Sequence, residues 1–110
     1  MDISFANNNL QKLCASDSSL HRKLGTGGAK KAIAHLASLR AAETLEPFRK
    51  LPGHCHELDA DRAGQLAIEL PGGKRLIFRP TTDPPPTKPD GGLDWTAIRA
   101  ITVLEITNYH

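Results

Sequence analysis

The chain has 110 residues, of which 39% are hydrophobic and 24% are charged, a composition typical of one globular domain. No apolar run approaches the ~18 residues of a membrane-spanning helix, and the opening MDISF lacks the basic and apolar segments of a signal peptide. We therefore expect one cytoplasmic domain over residues 1–110, with Cys14 and Cys55 as free thiols.

The formal charge of +2 is distributed unevenly along the chain. Residues 1–53 contain 8 Lys and Arg against 4 Asp and Glu, whereas residues 54–110 contain 6 against 8. The basic excess in the first half indicates where RNA or an acidic protein partner would bind.

Apolar residues in the first half follow the spacing of helices. After a short strand at residues 3–5, the asparagines at 7–9 offer N-cap side chains to a helix that carries Leu10 and Leu13 on one face. Residues 16–18 then interrupt or re-cap this helix.

A second helix is predicted from about residue 28 to 42, because Gly25 ends the preceding turn and Ile33, Leu36 and Leu39 line one side. The short glycine-containing turn predicts that the two helices form an antiparallel pair. An irregular stretch follows, with three further core positions predicted at Leu45, Phe48 and Leu51.

The second half changes to the alternation of β-strands. Residues 64–70 and 74–79 alternate around the turn residues 71–73, which predicts a hairpin. With residues 55–58 before it and the apolar run 100–107 after it, we expect about four strands, largely antiparallel, the last covered on both faces. The predicted fold class is α+β, with two N-terminal helices packed on this small sheet.

Residues 80–99 separate the hairpin from the last strand and include PPP at 84–86 and DGG at 90–92. This composition cannot form a core, so we predict a stiff surface loop docked by Trp95. A ligand for a proline-binding domain is the alternative interpretation.

Three familiar site patterns do not fit. Residues 25–31, GTGGAKK, lack the spacing of a phosphate-binding loop and follow no strand. In residues 54–56, His-Cys-His, the cysteine would face away from both histidines on a strand, which leaves two ligands where zinc needs three or four. A hydrolase centred on Cys55 lacks a residue to orient its histidine. We therefore expect no metal and no cofactor.

Arg75, Ile77 and Arg79 alternate onto one face of the second hairpin strand. Two guanidinium groups on one face can hold a phosphate and stabilise charge that develops on it. The alternative, which is equally compatible with the sequence, is that they pair with carboxylates such as Glu57 or Glu69.

The last strand leads directly into Asn108, Tyr109 and His110. If the natural chain ends there, a phenol and an imidazole lie at the rim of the sheet. Free imidazole titrates near ~6.5, so His110 can exchange a proton at neutral pH, as phosphodiester cleavage requires; a frayed terminus is the alternative. His56 offers a second imidazole on the strand that enters the sheet, and Arg62 lies on a turn where a solvated charge is the default.

Five short motifs follow one another in a specific order: Leu51-Pro52-Gly53, His56-x-Leu58, Asp61-Arg62-x-Gly64, the segment GKRLIFR at 73–79, and Tyr109-His110. Through nearly the whole chain, their order and spacing resemble the HigB killer-protein branch of the RelE/ParE toxin superfamily. The resemblance implies a microbial-ribonuclease-like fold and a cytoplasmic bacterial toxin that cuts mRNA on the ribosome without a metal. Its implied protein partner is a helix-turn-helix antitoxin of the HigA type, through which the complex can bind operator DNA.

The resemblance assigns catalysis, by motif position, to His56, Arg75, Tyr109 and His110. A ribose 2′-hydroxyl would attack the adjacent phosphate, which is possible in RNA and impossible in DNA. His110 or His56 would act as base or acid, Arg75 would hold the phosphate, and Tyr109 would stack on a base or orient the substrate. We expect RNA-binding contacts from four further residues: Arg62, Lys74, Arg79 and Asn108.

Two residues depart from the family pattern, since Asn108 stands where related toxins often have Asp, and Asp59 where Lys is common. Two alternative functions therefore stay open. On the same fold, ParE-type toxins act on DNA gyrase and need no terminal His or Tyr. A homologue without toxicity would only bind its antitoxin.

Overall fold

The structure, a computed structural model, describes residues 1–108 as two helices packed on a five-stranded mixed sheet. Helix α1 spans Asn8–Cys14 and α2 spans Asp17–Ala41. The strands are β1 Asp2–Phe5, β2 His56–Glu57, β3 Leu66–Leu70, β4 Lys74–Pro80 and β5 Ala100–Asn108. Their order across the sheet is β1-β5-β4-β3-β2, with β1 parallel to β5 and the other pairs antiparallel.

The α+β class is confirmed, but the sheet has five strands within residues 1–108 and not four. The additional strand is β1, which pairs in parallel with the first half of β5, from Ala100 to Val103. The last strand is therefore an interior strand there, as its two apolar faces predicted. The predicted hairpin is also confirmed, because β3 and β4 pair around residues 71–73 from Leu70↔Lys74 onward.

Side-chain caps begin both helices. Asn7 Oδ1 accepts a hydrogen bond from the Leu10 backbone N–H at 2.8 Å, and Ser16 Oγ accepts one from Ser19 at 3.2 Å. The break predicted at Gly25 is confirmed: α2 consists of two helical segments joined by a kink at this residue, whose backbone is non-helical with φ of 76°. None of the helices in residues 1–108 is long and apolar enough to cross a membrane.

The core lies between α2 and one face of the sheet, which we call the helix face. Leu36 and Leu39 of α2 are at most 1% exposed and belong to the same cluster as Leu76 and Phe78 of β4. The remaining sheet residues of this face within that cluster are Leu66, Ile68, Leu70, Ile101 and Val103.

Two of the three core positions predicted after the helices are confirmed. Leu45 and Phe48 are buried, but Leu51 is 43% exposed, so its prediction is wrong. Leu51 follows a short 3₁₀ turn, Glu46–Arg49, that has already placed Phe48 in the core. The chain then crosses the surface toward β2, and the side chain at 51 stays in solvent.

Residues 81–99 form the predicted loop, and Trp95 docks it as expected, but the expectation that this segment adds nothing to the core is wrong, because Leu93 and Ile98 are buried in the core cluster with Trp95. Trp95 is 3% exposed, and its Nε1 donates a hydrogen bond to Glu57 Oε2 at 3.0 Å. The other carboxylate oxygen of Glu57 accepts from the Leu93 backbone N–H at 3.1 Å, and the Arg49 guanidinium lies 4.1 Å from the indole centroid. Glu57 therefore anchors the loop to β2 and is not the arginine partner that the sequence suggested.

Candidate active site

The sheet face turned away from the helices, which we call the second face, carries most of the predicted site. Side chains alternate along a strand, so residues directly opposite one another on neighbouring strands share a face. One row across this face consists of Glu69, Arg75 and Thr107, and the next consists of His56, Ala67, Ile77 and Glu105.

Arg75 lies at the middle of its row. It is half-buried, and its Nε atom is buried, with Glu69 directly opposite on β3 and Thr107 directly opposite on β5. The register therefore places this guanidinium beside the Glu69 carboxylate, as the interpretation of an ion pair expected. It also places Arg75 on the same face as His56, as a shared catalytic site requires.

Two histidines and Glu69 form a connected cluster next to Arg75. His54 Nδ1 lies 2.8 Å from Glu69 Oε2, and the His54 and His56 rings stack with centroids 4.4 Å apart and 20° between their planes. His56 Nδ1 lies 2.7 Å from the backbone oxygen of His54. Because a carbonyl oxygen only accepts hydrogen bonds, we assign the hydrogen of neutral His56 to Nδ1, which leaves Nε2 as the acceptor.

The turn that carries this cluster depends on Gly53. Its φ is 110°, and a Cβ there would lie 2.9 Å from both the His35 ring and an Ile68 methyl group. Glu69 N–H donates to the Gly53 carbonyl at 2.7 Å, which ties the turn to β3. The turn is therefore held close against the sheet, where no side chain larger than hydrogen fits at residue 53.

A small polar pocket lies at the end of β5, where Lys74 and Asn108 belong to the same row as Leu70, on the helix face. Lys74 and Asn108, both predicted to bind RNA, lie directly opposite one another. With Lys23 of α2, Ile106 and Thr107 they line a pocket of about 200 Å³. Lys23 thus brings positive charge from the helix layer to the same end of the sheet.

Arg62 is engaged within the protein and is not the solvated turn charge that the sequence suggested. It lies on a 3₁₀ turn, Ala60–Arg62, and donates to Gln65 Oε1 at 2.8 Å and to Glu105 Oε2 at 3.0 Å. The ion pair spans from this turn to β5, over the row in which Ile77 is 1% exposed. The ion pair therefore links the 3₁₀ turn to β5.

Arg79 shares the predicted face of β4 but lies at its other end, about 13 Å along the strand from Arg75. Its Nη1 donates to the backbone oxygens of Pro80 at 2.9 Å and Thr81 at 3.4 Å. A shared grip of Arg75 and Arg79 on a single phosphate, the arrangement that the sequence suggested, is therefore wrong for this conformation, because Arg79 caps the start of the loop.

The cysteines are free, as predicted. Burial is the main cause that raises the pKa of Cys55 to about 12, so this thiol is almost entirely protonated at neutral pH and is a poor nucleophile. Across residues 1–108, His, Cys, Asp and Glu side chains form no group of three or more placed to hold a metal ion.

Tyr109 and His110 lie outside the described residues, and their assignment stays a prediction. Sequence reasoning considered His54 only as a metal ligand and Glu69 only as an arginine partner. The signal for both was present, because counting back across the turn at 71–73 places Glu69 opposite Arg75. The left-handed backbone conformation of His54, with φ of 51°, could not be predicted from the sequence.

No protein-family model matches the chain, and a search of curated proteins finds no match. Two solved structures are similar to it over its whole length. A YoeB/ParE toxin from Agrobacterium tumefaciens has a TM-score of 0.56 at 12% identity, with 100% of both chains covered. A YoeB dimer from Staphylococcus aureus has a TM-score of 0.52 at 15% identity, with 100% of this chain and 97% of that chain covered. At these identities the likeness establishes a shared fold.

Proposed function

We propose that this chain is the toxin of a type II toxin-antitoxin system, of the HigB kind, and that it cleaves mRNA on the ribosome as a metal-independent endoribonuclease. The observation that carries the proposal is the second face, where Arg75 and His56 lie together in a fold shared with a YoeB/ParE toxin. A cation that binds phosphate and an imidazole with a free acceptor nitrogen are the groups that phosphodiester cleavage uses.

The proposed reaction is an in-line displacement within RNA. The ribose 2′-oxygen bonds to phosphorus as its proton passes to an imidazole nitrogen, and the bond from phosphorus to the 5′-oxygen of the next nucleotide breaks. That oxygen takes a proton from a second group, which leaves a 2′,3′-cyclic phosphate and a 5′-hydroxyl. Each proton transfer should contribute roughly 10²- to 10⁴-fold to the rate.

Arg75 has the charge and geometry to stabilise the phosphate in this reaction. Its half-buried position restricts the guanidinium and lowers its exposure to water, so its charge acts on a bound phosphate more strongly than that of a solvated arginine. Lys74, Lys23 and Asn108 line the pocket on the helix face at the end of β5, and they would hold a phosphate or sugar of the RNA strand where it passes round this end of the sheet.

In-line attack places the base and the acid on opposite sides of phosphorus. His54 and His56 are stacked on one another, so they approach the phosphate from the same side and cannot serve as this pair. The second proton-transfer group must come from across Arg75. We propose His110 for this role, with Tyr109 stacking on a base, because β5 ends beside Lys74 at Asn108.

The proposed protein partner is a small acidic antitoxin. Lys23, Lys30, Lys31 and Arg40 are all exposed on α2, and charge of this kind accelerates association with an acidic surface. Reversing the charge of Lys30 and Lys31 together should weaken the complex, and the association rate of the unmodified protein should fall as salt rises. Unchanged affinity in the double variant would place the contact elsewhere.

Expression in bacterial cells with mapping of RNA ends tests the function directly. Cuts within translated frames support the nuclease, whereas DNA damage with intact messages would favour the inhibition of gyrase. Growth without either effect, together with binding of the antitoxin, would favour a homologue that has lost its toxicity.

A truncated chain that lacks Tyr109 and His110 provides the matched variant. The apolar positions of β5 finish at Ile106, so the fold and its melting temperature should change little. Cleavage should fall steeply, and His110→Gln should separate proton transfer from the hydrogen bonds of the side chain. A truncated protein as toxic as the full chain would refute the catalytic role of these two residues.

A further inference from the structure

We propose that His54, held by Glu69, is the positioning residue that sets the tautomer and the orientation of His56. This inference rests on the proposed nuclease function and adds to it two residues that the resemblance does not assign. His56 lies on a strand of only two residues, His56–Glu57, so the strand alone does not fix the tautomer or the orientation of its imidazole.

The first step is the hydrogen bond from His56 Nδ1 to the His54 carbonyl at 2.7 Å. This contact requires the hydrogen on Nδ1, whereas free histidine prefers it on Nε2. The backbone of His54 therefore selects the tautomer in which Nε2 of His56 is the proton acceptor. An imidazole in the other tautomer would present a donor at the same place and could not take a proton from a ribose hydroxyl.

The second step is the ring stack. With centroids 4.4 Å apart and planes 20° from parallel, the His54 ring covers one side of the His56 ring. The stack therefore restricts the rotation of the His56 ring about its side-chain bonds. The same hydrogen bond and the same stack thus define both the state and the direction of Nε2.

The third step is what holds His54 itself. Its φ of 51° is in the left-handed region, which non-glycine residues adopt infrequently, and its side chain is 70% exposed, so packing alone does not hold it. The imidazole is anchored by the 2.8 Å contact between its Nδ1 and Glu69 Oε2. Glu69 N–H also donates to the Gly53 carbonyl, so one residue of β3 holds the turn by both backbone and side chain.

The test combines nitrogen NMR of the His56 ring with an RNA cleavage assay in a translation reaction programmed with one defined mRNA. At about pH 8.5, where free imidazole is neutral, the unmodified protein should show His56 with its hydrogen on Nδ1. Glu69→Ala should lose this preference and cleave about 10- to 100-fold more slowly, the range known for removing groups that orient metal-bound histidines.

Two further variants keep the test decisive if Glu69→Ala folds poorly. His54→Ala removes the other half of the anchor and should shift the tautomer in the same direction. Glu69→Gln keeps an oxygen acceptor for His54 and should retain the tautomer. The double variant of His54 and Glu69 should shift the tautomer no further than either single variant, because both single variants remove the contact between these two residues. Glu43→Ala, which removes an exposed carboxylate elsewhere, is the control and should change neither readout.

The outcomes separate this inference from the proposed function. If Glu69→Ala and His54→Ala leave the tautomer of His56 unchanged, or if they shift it without slowing cleavage, the positioning role is overturned. If the unmodified protein cleaves no RNA, the proposed function fails, and the tautomer measurement alone still decides whether His54 and Glu69 position His56.

Discussion

The two faces of the sheet are made by the same strands but differ in the interactions that hold their side chains. On β3, Leu66, Ile68 and Leu70 face the helices and are nearly free of solvent, whereas Glu69 between them faces the other way. These leucine and isoleucine side chains of the helix face are held by packing. The charged groups of the second face are engaged with one another instead, as in the contact of Glu69 with His54.

This difference would let a small domain separate stability from the chemistry proposed for the second face. A strand turns alternate side chains to opposite faces, so the five consecutive residues of β3 can contribute to both faces without conflict. The separation also predicts that substitutions on the two faces will have different signatures. Helix-face substitutions should lower the melting temperature, and second-face substitutions should lower activity in a protein that remains folded.

The largest effect is expected from Phe78→Ala. Phe78 is fully buried on the helix face of β4, and its truncation should cost about 3–5 kcal/mol through lost contacts and a residual cavity. Urea denaturation followed by circular dichroism measures this loss. Phe78→Leu, which fills more of the space, is the matched control and should lose less. A Phe78→Ala protein of unchanged stability would show that the two layers are not the main source of stability.

A smaller effect, on activity, is expected from Arg75→Lys. Lysine keeps the charge but loses the planar fork, so cleavage should fall by about 10²-fold, or about 2.7 kcal/mol in the transition state. Single-turnover cleavage of RNA measures it. If second-face residues contribute little to stability, Arg75→Ala should melt near the temperature of the unmodified protein. Should it unfold instead, Arg75 serves mainly to pair with Glu69 in the sheet.

Most of the fold could be predicted from the sequence, because its signals are local. Alternation around residues 71–73 predicted the hairpin, and the asparagine at position 7 predicted the start of α1. The parallel pairing of β1 with β5 could not be deduced, since it joins residues almost a hundred positions apart. The exposure of Leu51 could not be predicted from the spacing of apolar residues either, because it depends on the path of the chain after a 3₁₀ turn.

The site was predicted less completely, for a different reason. Arg75 and His56 could be named from the motifs, and the register brings both to one face. The role proposed for His54 depends on a left-handed backbone conformation and on a close contact with Glu69, fifteen residues away. Neither follows from residue type or spacing, since both arise when the turn at Gly53 packs on β3.

An effect of about 1 kcal/mol on stability, without loss of activity, is expected from Glu57→Gln. Glu57 pairs with Leu66, which places it toward the helix face, and its two oxygens accept from the Leu93 N–H and the Trp95 indole. Glutamine keeps one acceptor oxygen and loses the charge, so one of the two hydrogen bonds is lost. Thermal denaturation measures the change, with Glu43→Gln as the exposed control. A loss of RNA cleavage with unchanged stability would show that the loop contributes to the site.

The smallest effect expected is a pH dependence of stability that comes from His35 of α2. Burial, followed by repulsion from the Lys31 ammonium, lowers the pKa of His35 below the ordinary imidazole value. The unfolded chain therefore binds more protons at this residue as the pH falls toward and below ~6.5, so stability rises with pH through that range and levels off above it. Melting temperatures between about pH 5 and pH 8 should show this rise, and His35→Gln should flatten it.

His21→Gln provides the control for that measurement, because His21 is exposed on the same helix. The position of His35 lets the same measurement compare a histidine of the helix layer with the histidines of the second face. Its ring lies where a Cβ at Gly53 would collide, beneath the turn that carries His54. If the rise in stability persists in His35→Gln but disappears in His54→Gln, the histidines of the second face govern the acid sensitivity, and the helix layer contributes none of it.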